Sequence, residues 1–220
     1  RNSRTLLRRN TKEPNDRAVA QLAQLASQAS TASSAPTLLG IEGAAARIYF
    51  GSFQAMLSAG KRLPGGPFTF EGRRRRPPPD PVNCLLGYLY GLLVKELTVT
   101  VLTVGFDPYQ GFYHRPRFGR PALALDLAEE FRPLVAESVA INLINNGEVS
   151  EGDFLVRAGG VSLTQSGRKT VLGAYERRMA AELTHPVFGY KVSYRRTLEV
   201  QARLLAAHLL GEVPEYTPVT

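Results

Sequence analysis

Cysteine is almost absent: Cys84 is the only one in the chain. That excludes an internal disulfide and any zinc site built on several thiolates, and it fits a reducing cytosol. Cys84 sits in the apolar run CLLGYLYGLLV, where a small buried hydrophobe is expected rather than a nucleophile. Acid is scarce relative to base, with 19 Asp and Glu against 27 Lys and Arg and a formal net charge of +8. A surplus of that size favours a polyanionic partner or an anionic surface. No secretory signal is visible. The longest apolar stretch, from Cys84 to Val104, is broken near its middle by Lys95 and Glu96, so it reads as a core helix and no membrane partner is expected. Internal repeats are lacking too. Apolar residues at 44% of 220 positions exclude a disordered chain and suffice for one sizeable core or two small ones.

Helical periodicity dominates what is present. RNSRTLLRRN is basic and helix-compatible, and after Pro14 the apolar positions Val19, Leu22, Leu25 and Ala26 recur on a helical period. The Ser/Thr/Ala cluster at 30–34, followed by Pro36, predicts a turn. APTLLGIEGAAARIYFGSFQAML reads as a helix crowded by neighbours on several sides. Residues 58–80 carry Gly, Pro and four consecutive arginines and predict a flexible basic loop. Asp80 then supplies an N-cap and Pro81 a first-turn proline for a helix reaching about Val104. The loop GFDPYQGFYHRPRFGR precedes a helix opened by Pro121, kinked at Pro133 and ended by Asn145-Asn146-Gly147. Alternation around Gly159-Gly160 predicts a short β-hairpin over 153–163. Two amphipathic helices, GRKTVLGAYERRMAAEL and YRRTLEVQARLLAAHLL, and an extended tail over 211–220 follow. The fold class is mainly α: a single domain, residues 1–220, with a small β excursion.

Three places put charge where the local pattern is apolar or strained. Glu42 has Leu38, Leu39, Ala45 and Ala46 as helical neighbours, so its carboxylate is expected to be poorly hydrated and to need a cation or a proton. Asp126 and Glu129 stand one turn apart on one helix face, and a metal or an arginine would relieve their repulsion. His114 ends the Gly-rich segment GFYH, which can aim an imidazole into a pocket. One His with several carboxylates is a mixed N/O ligand set suited to Mn²⁺ or, with waters, Mg²⁺. The alternatives are structural: Glu42 paired with a loop arginine, Asp126 and Glu129 as surface acids offset by Arg132, His114 capping a turn. The run Arg73, Arg74, Arg75 and Arg76 is either a solvated surface or, with Phe68 and Phe70, a grip on nucleic acid, with guanidiniums on phosphates and rings on bases. Arg115, Arg117 and Arg120 add cations beside His114.

The segments IEGAAARIYF, RRRRPPPDPVNCLLGYLYGLL, GFDPYQGFYH and RPALALDLAEEFRPLV, in this order, closely resemble the CRISPR adaptation integrase, the universal spacer-acquisition endonuclease of CRISPR systems. The likeness covers essentially the whole chain. It implies the helical C-terminal catalytic domain of that family, with the small N-terminal β-sandwich-like domain absent from this chain. It implies a Mg²⁺ or Mn²⁺ site built from Glu42, His114 and Glu129, with Asp126 a near-site residue or a water-mediated ligand. Arg117 and Arg132 inherit phosphate-contact roles. The implied reaction is attack by the 3′-hydroxyl of captured double-stranded DNA on a phosphodiester at the repeat boundary. The implied partners are DNA (protospacer and CRISPR repeat), a second copy of the chain, and a dimer of a small ferredoxin-like CRISPR-associated protein. Two other readings stand beside it: a non-catalytic DNA-binding scaffold on the same fold, and a transposon-borne integrase. A small-molecule metallohydrolase would leave the charge and the arginine loop without a purpose.

Overall fold

The computed structural model describes residues 1–11, 15–57, 68–74 and 76–220, and its architecture is mainly α. The elements run α1 (Asn2–Asn10), α2 (Asp16–Ser30), α3 (Ala35–Gly51), a 3₁₀ turn (Phe53–Met56), α4 (Pro81–Val104) and α5 (Ala122–Phe131). A π-helical segment (Arg132–Glu137) leads into α6 (Ser138–Asn145), followed by β1 (Phe154–Arg157), β2 (Gly160–Leu163), α7 (Gln165–Ala180), β3 (Glu182–Thr184), β4 (Lys191–Ser193) and α8 (Tyr194–Leu209). Two compact units share these elements: Arg1–Gly87 with Ala140–Val171, and Tyr88–Val139 with Leu172–Thr220.

In the first unit, α2 and α3 start where side-chain caps satisfy their open amides. Asn15 Oδ1 accepts the Ala18 N–H at 3.1 Å, and Ser34 Oγ accepts that of Thr37 at 3.3 Å, with Pro36 in the first turn. α3 departs from expectation. Tyr49 is its one fully buried residue, and Glu42, expected to be starved of water, is exposed. The cause is volume: a Cβ added at Gly40 or Gly43 would meet nothing within 4 Å, so the helix is apolar by composition without being packed there.

Phe68 and Phe70 require a second correction. Both are buried; Phe70 lies 5.1 Å from Phe53 and Phe68 5.9 Å from Phe154, between ring centroids. These rings are committed to a core and unavailable to bases. Gln54 holds the strand of chain that carries them, its Oε1 accepting the Phe70 N–H at 2.6 Å. Of the basic loop over 58–80, residues 58–67 and Arg75 lie outside the described residues, and the rest has no regular secondary structure.

Asp80 caps α4 as its position predicts, Oδ1 accepting the Asn83 N–H at 2.7 Å. The β1–β2 hairpin turns through Ala158 (φ 48°) and Gly159 (φ 74°), the pair of positive φ values that a two-residue type I′ turn requires. It leans on the proline run: Val161 N–H donates to the Pro78 carbonyl at 2.8 Å.

In the second unit, α4 buries Leu89, Leu93, Leu97 and Val101 completely, one stripe at a four-residue spacing. Of the two charges that interrupt its apolar run, Glu96 is paired. Glu96 accepts Arg195 Nε at 2.6 Å and the Tyr175 hydroxyl at 2.8 Å. Pro133 does not simply kink its helix. The missing N–H is absorbed by the π turn, where Arg178 Nε satisfies the Leu134 carbonyl at 2.7 Å. A second hairpin, β3–β4, takes residues that the periodicity assigned to the end of α7.

The 211–220 tail, expected to be extended, begins with a turn and bends over 211–214, has no regular secondary structure beyond them, and is tied down. Glu130 receives the Tyr216 hydroxyl and the Gln201 amide at 2.9 Å or less, together with the Val219 N–H at 2.6 Å. Burial pushes the Glu130 carboxyl up to about 7, against the pull of those three donors.

Candidate active site

α4 gives way at Gly105, whose φ of 106° reverses the chain, and the following loop lies against the start of α5. Gly111 permits that approach: a Cβ there would stand 2.7 Å from the Ala122 Cβ and 2.8 Å from the His114 carbonyl oxygen. One carboxylate then organises the loop. Asp126 Oδ2 accepts the N–H groups of Phe112 at 2.7 Å and Tyr113 at 3.0 Å. Its Oδ1 accepts the His114 N–H at 2.8 Å and faces His114 Nδ1 at 2.7 Å.

The consequence falls on the imidazole. With Nδ1 carrying the proton toward Asp126, Nε2 of the neutral ring is left as a lone-pair donor. Nε2 lies 4.0 Å from Glu129 Oε1, one helical turn beyond Asp126. This is the arrangement of a metal-binding histidine oriented by a carboxylate behind it. Metal–nitrogen and metal–oxygen bonds to such ions are each about 2.0–2.2 Å, so a gap of 4.0 Å can be bridged by one divalent ion. His114 and Glu129 therefore fit an ion of that class.

Glu129 also accepts a charge-assisted bond from Arg132 Nη1. Of the two agents expected to relieve the Asp126–Glu129 repulsion, the arginine is present at Glu129, while the loop amides and His114 serve Asp126. The Arg132 guanidinium lies 5.0 Å from the Tyr90 ring centroid, and the Tyr90 hydroxyl donates to the buried Glu137 at 2.7 Å. Arg132 Nε is buried with no hydrogen-bond partner.

The remaining expected residues are distributed as follows. Glu42 belongs to the first unit and His114, Asp126 and Glu129 to the second. In the first unit, Arg73 Nη1 is held by Asn83 Oδ1 at 2.9 Å, Arg74 and Arg76 are exposed, and Arg75 lies outside the described residues. In the second, Arg115 and Arg117 are exposed and Arg120 is half-buried. Tyr90 and Glu137 were not anticipated. Glu137 sits in RPLVAESVA, and the rule that singled out Glu42, charge in an apolar setting, would have found it.

Comparison with known proteins agrees with this architecture. The family model described as CRISPR associated protein Cas1 matches residues 1–177. A CRISPR-associated exonuclease Cas4/endonuclease Cas1 fusion of Geobacter sulfurreducens is 54% identical over 221 residues, covering 98% of this chain and 39% of that protein. A CRISPR-associated endonuclease Cas1 of Thermus thermophilus is 42% identical over 218 residues, covering 99% and 62%. The chain thus spans less than two thirds of the length of either relative.

Among solved structures, a Cas1 protein from Thermotoga maritima superposes with a TM-score of 0.80 at 27% identity, covering 100% of this chain and 64% of that one. A partial Cas6-RT-Cas1–Cas2 complex gives 0.81 at 26% identity, covering 100% and 65%. A casposase bound to integration product gives 0.72 at 25% identity, covering 83% and 52%. With one family model spanning most of its residues and close relatives along nearly its full length, the chain belongs to the CRISPR-associated Cas1 family.

Proposed function

We propose that the chain carries the catalytic site of a divalent-metal-dependent DNA endonuclease and integrase, which joins captured DNA to a CRISPR repeat by transesterification. The observation that carries this reading is the line Asp126–His114–Glu129, with Nε2 turned toward Glu129 at 4.0 Å. His114 and Glu129 hold Mg²⁺ or Mn²⁺, and Asp126 fixes the tautomer and direction of the ring. Glu42 is the third ligand by its I-E-G motif; its part in the proposal comes from that resemblance. A divalent ion bound there supplies Lewis-acid stabilisation of charge on the phosphodiester and eases ionisation of the attacking hydroxyl.

In the reaction a 3′-oxygen forms a bond to phosphorus and the bond to the departing 3′-oxygen breaks. The attacking hydroxyl gives up one proton and the departing oxygen gains one. Arg132 and Arg117, by the family resemblance, together with the exposed Arg115, bind phosphate oxygens around the scissile bond. The Cas6-RT-Cas1–Cas2 complex among the structural relatives supports a Cas2-like partner; pairing with a second copy of the chain comes from the family resemblance. The casposase match supports strand transfer as the shared chemistry and leaves transposon-end joining as the second reading.

Strand transfer assayed with repeat DNA and with transposon-end DNA, using wild type, His114→Ala, Glu129→Gln and Glu42→Gln, tests these statements. Loss of joining in all three variants with preference for repeat DNA is expected. Equal activity of His114→Ala would sink the catalytic reading, and preference for transposon ends would favour the second.

A further inference from the structure

Glu130 follows the proposed ligand Glu129 on α5 and points elsewhere, since successive helical residues stand about 100° apart. Both of its oxygens are occupied. Oε1 accepts the Gln201 side-chain amide at 2.9 Å and the Val219 N–H at 2.6 Å, and Oε2 accepts the Tyr216 hydroxyl at 2.5 Å. The Tyr216 oxygen in turn accepts from the same Gln201 amide at 2.9 Å, which closes a ring of three side chains.

The Gln201 amide is itself oriented. His185 Nδ1 accepts the Val187 N–H at 3.3 Å, which leaves Nε2 as the ring's donor, to Gln201 Oε1 at 3.1 Å. The NH₂ group of Gln201 is thereby turned toward Glu130. His185 and Gln201 are both fully buried, so this orientation is shielded from competing water.

Cohesion alone does not ask for such a ring. Apolar side chains would join α5 to α8 and to the 211–220 stretch at lower cost than a carboxylate drawn out of water. What the carboxylate adds is direction, because hydrogen bonds constrain angle as well as distance. Direction is needed at this point of the chain. α5 ends at Phe131 and passes into the π segment, a wide turn of a kind frequent at functional sites. Two residues beyond Glu129 the regular helix is gone, and Phe131, though fully buried, holds the axis by apolar packing, which is non-directional.

We infer that Glu130, Tyr216 and Gln201 are positioning residues: they set the rotation of the last turn of α5 and so present Glu129 to the ion it shares with His114. This rests on the metal-site reading above and adds to it a dependence of the ion on the 211–220 stretch.

Tyr216→Phe is the test, since it removes one hydroxyl and keeps the ring, whereas Glu130→Ala would strand three donors and risks misfolding. Mn²⁺ binding to the intact protein is read by electron paramagnetic resonance, and strand transfer is followed across Mn²⁺ concentrations. Val171→Ala, at a fully buried position in the unit that does not hold α5, is the control for stability alone. Tyr216→Phe should weaken Mn²⁺ binding about fivefold. The Mn²⁺ needed for half-maximal joining should rise by the same factor, with the wild-type rate regained at saturation. Val171→Ala should melt at a lower temperature and keep the wild-type Mn²⁺ affinity. Wild-type Mn²⁺ affinity in Tyr216→Phe, or an equal loss in Val171→Ala, would overturn the positioning role alone. Failure of the wild-type protein to bind Mn²⁺ would overturn the metal reading with it.

Discussion

The Asp126 carboxylate grips His114 twice, through its backbone N–H at 2.8 Å and its ring Nδ1 at 2.7 Å. One partner thereby fixes both the position and the orientation of the imidazole. The same carboxylate holds the two residues before it. Its removal therefore acts on the loop and on the imidazole together.

Asp126→Asn tests that grip. An amide keeps one acceptor oxygen but turns an NH₂ group toward backbone donors, and it no longer favours the Nδ1–H tautomer. Outer-sphere carboxylates of this kind contribute about 10–100-fold to metal affinity or activity. A fall of that size in both Mn²⁺ affinity and strand transfer is expected, with the fold retained by circular dichroism. Unchanged Mn²⁺ affinity would mean that Asp126 serves the loop and not the ligand.

Arg132 competes with any ion for Glu129. Its replacement by methionine preserves the packing on Tyr90 and leaves the Glu129 oxygen available. Hydrogen bonds to charged groups contribute roughly 1.5–3 kcal/mol, so Mn²⁺ should bind the variant at least about tenfold tighter. Strand transfer should nonetheless decline, because the guanidinium proposed to bind phosphate is gone. Electron paramagnetic resonance titration of Mn²⁺ beside a joining assay separates the two effects. A parallel loss of metal and activity would show that Arg132 supports Glu129 instead of opposing the ion.

Local chemistry was legible where one residue determines one feature. Asp80-Pro81 started α4, Gly159-Gly160 marked a hairpin whose two turn residues are Ala158 and Gly159, and Pro133 disturbed its helix, as a π turn whose Leu134 carbonyl accepts from Arg178 of α7. Asp126 and Glu129 were legible as a pair because helical spacing puts them on one face. What failed was inference from composition to burial. Glu42 among alanines and glycines is exposed, since small residues leave a helix surface unfilled. Phe68 and Phe70 beside four arginines are core, since ring partners from distant segments reach them. Partners such as Tyr216 for Glu130 or Tyr90 for Glu137 lie 86 and 47 positions away and leave no periodic trace.

Cys84 should behave as an inert core residue. Burial, with the Asp80 charge second, pushes its thiol up to about 11 from the ordinary 9.0. On the order of one thiol in a thousand is then ionised at pH 8, and the thiolate is the reactive form. Because the folded value is raised, the stability this group contributes is fully present below pH 9 and is lost as pH rises through about 11. Iodoacetamide at pH 8 should leave the folded protein unlabelled over hours and modify it promptly in urea. Labelling of folded protein at the unfolded rate would show that the helix start opens readily.

Asn83 fastens the arginine run to α4. Fully buried, it accepts from Arg73 Nη1 at 2.9 Å and the Arg74 N–H at 2.8 Å, and donates to the Gly72 carbonyl at 2.9 Å. Asn83→Ala strands these groups, at a cost of about 2–3 kcal/mol, readable as a lower urea midpoint. If Arg73 and Arg74 meet phosphates, their misplacement should also flatten the dependence of DNA affinity on salt. Removing one cation from a phosphate lowers the log–log slope by about 1. A destabilised variant that still binds DNA with the wild-type salt slope would show that Arg73 and Arg74 do not meet phosphates. It would leave the cations on the His114 loop to account for the slope.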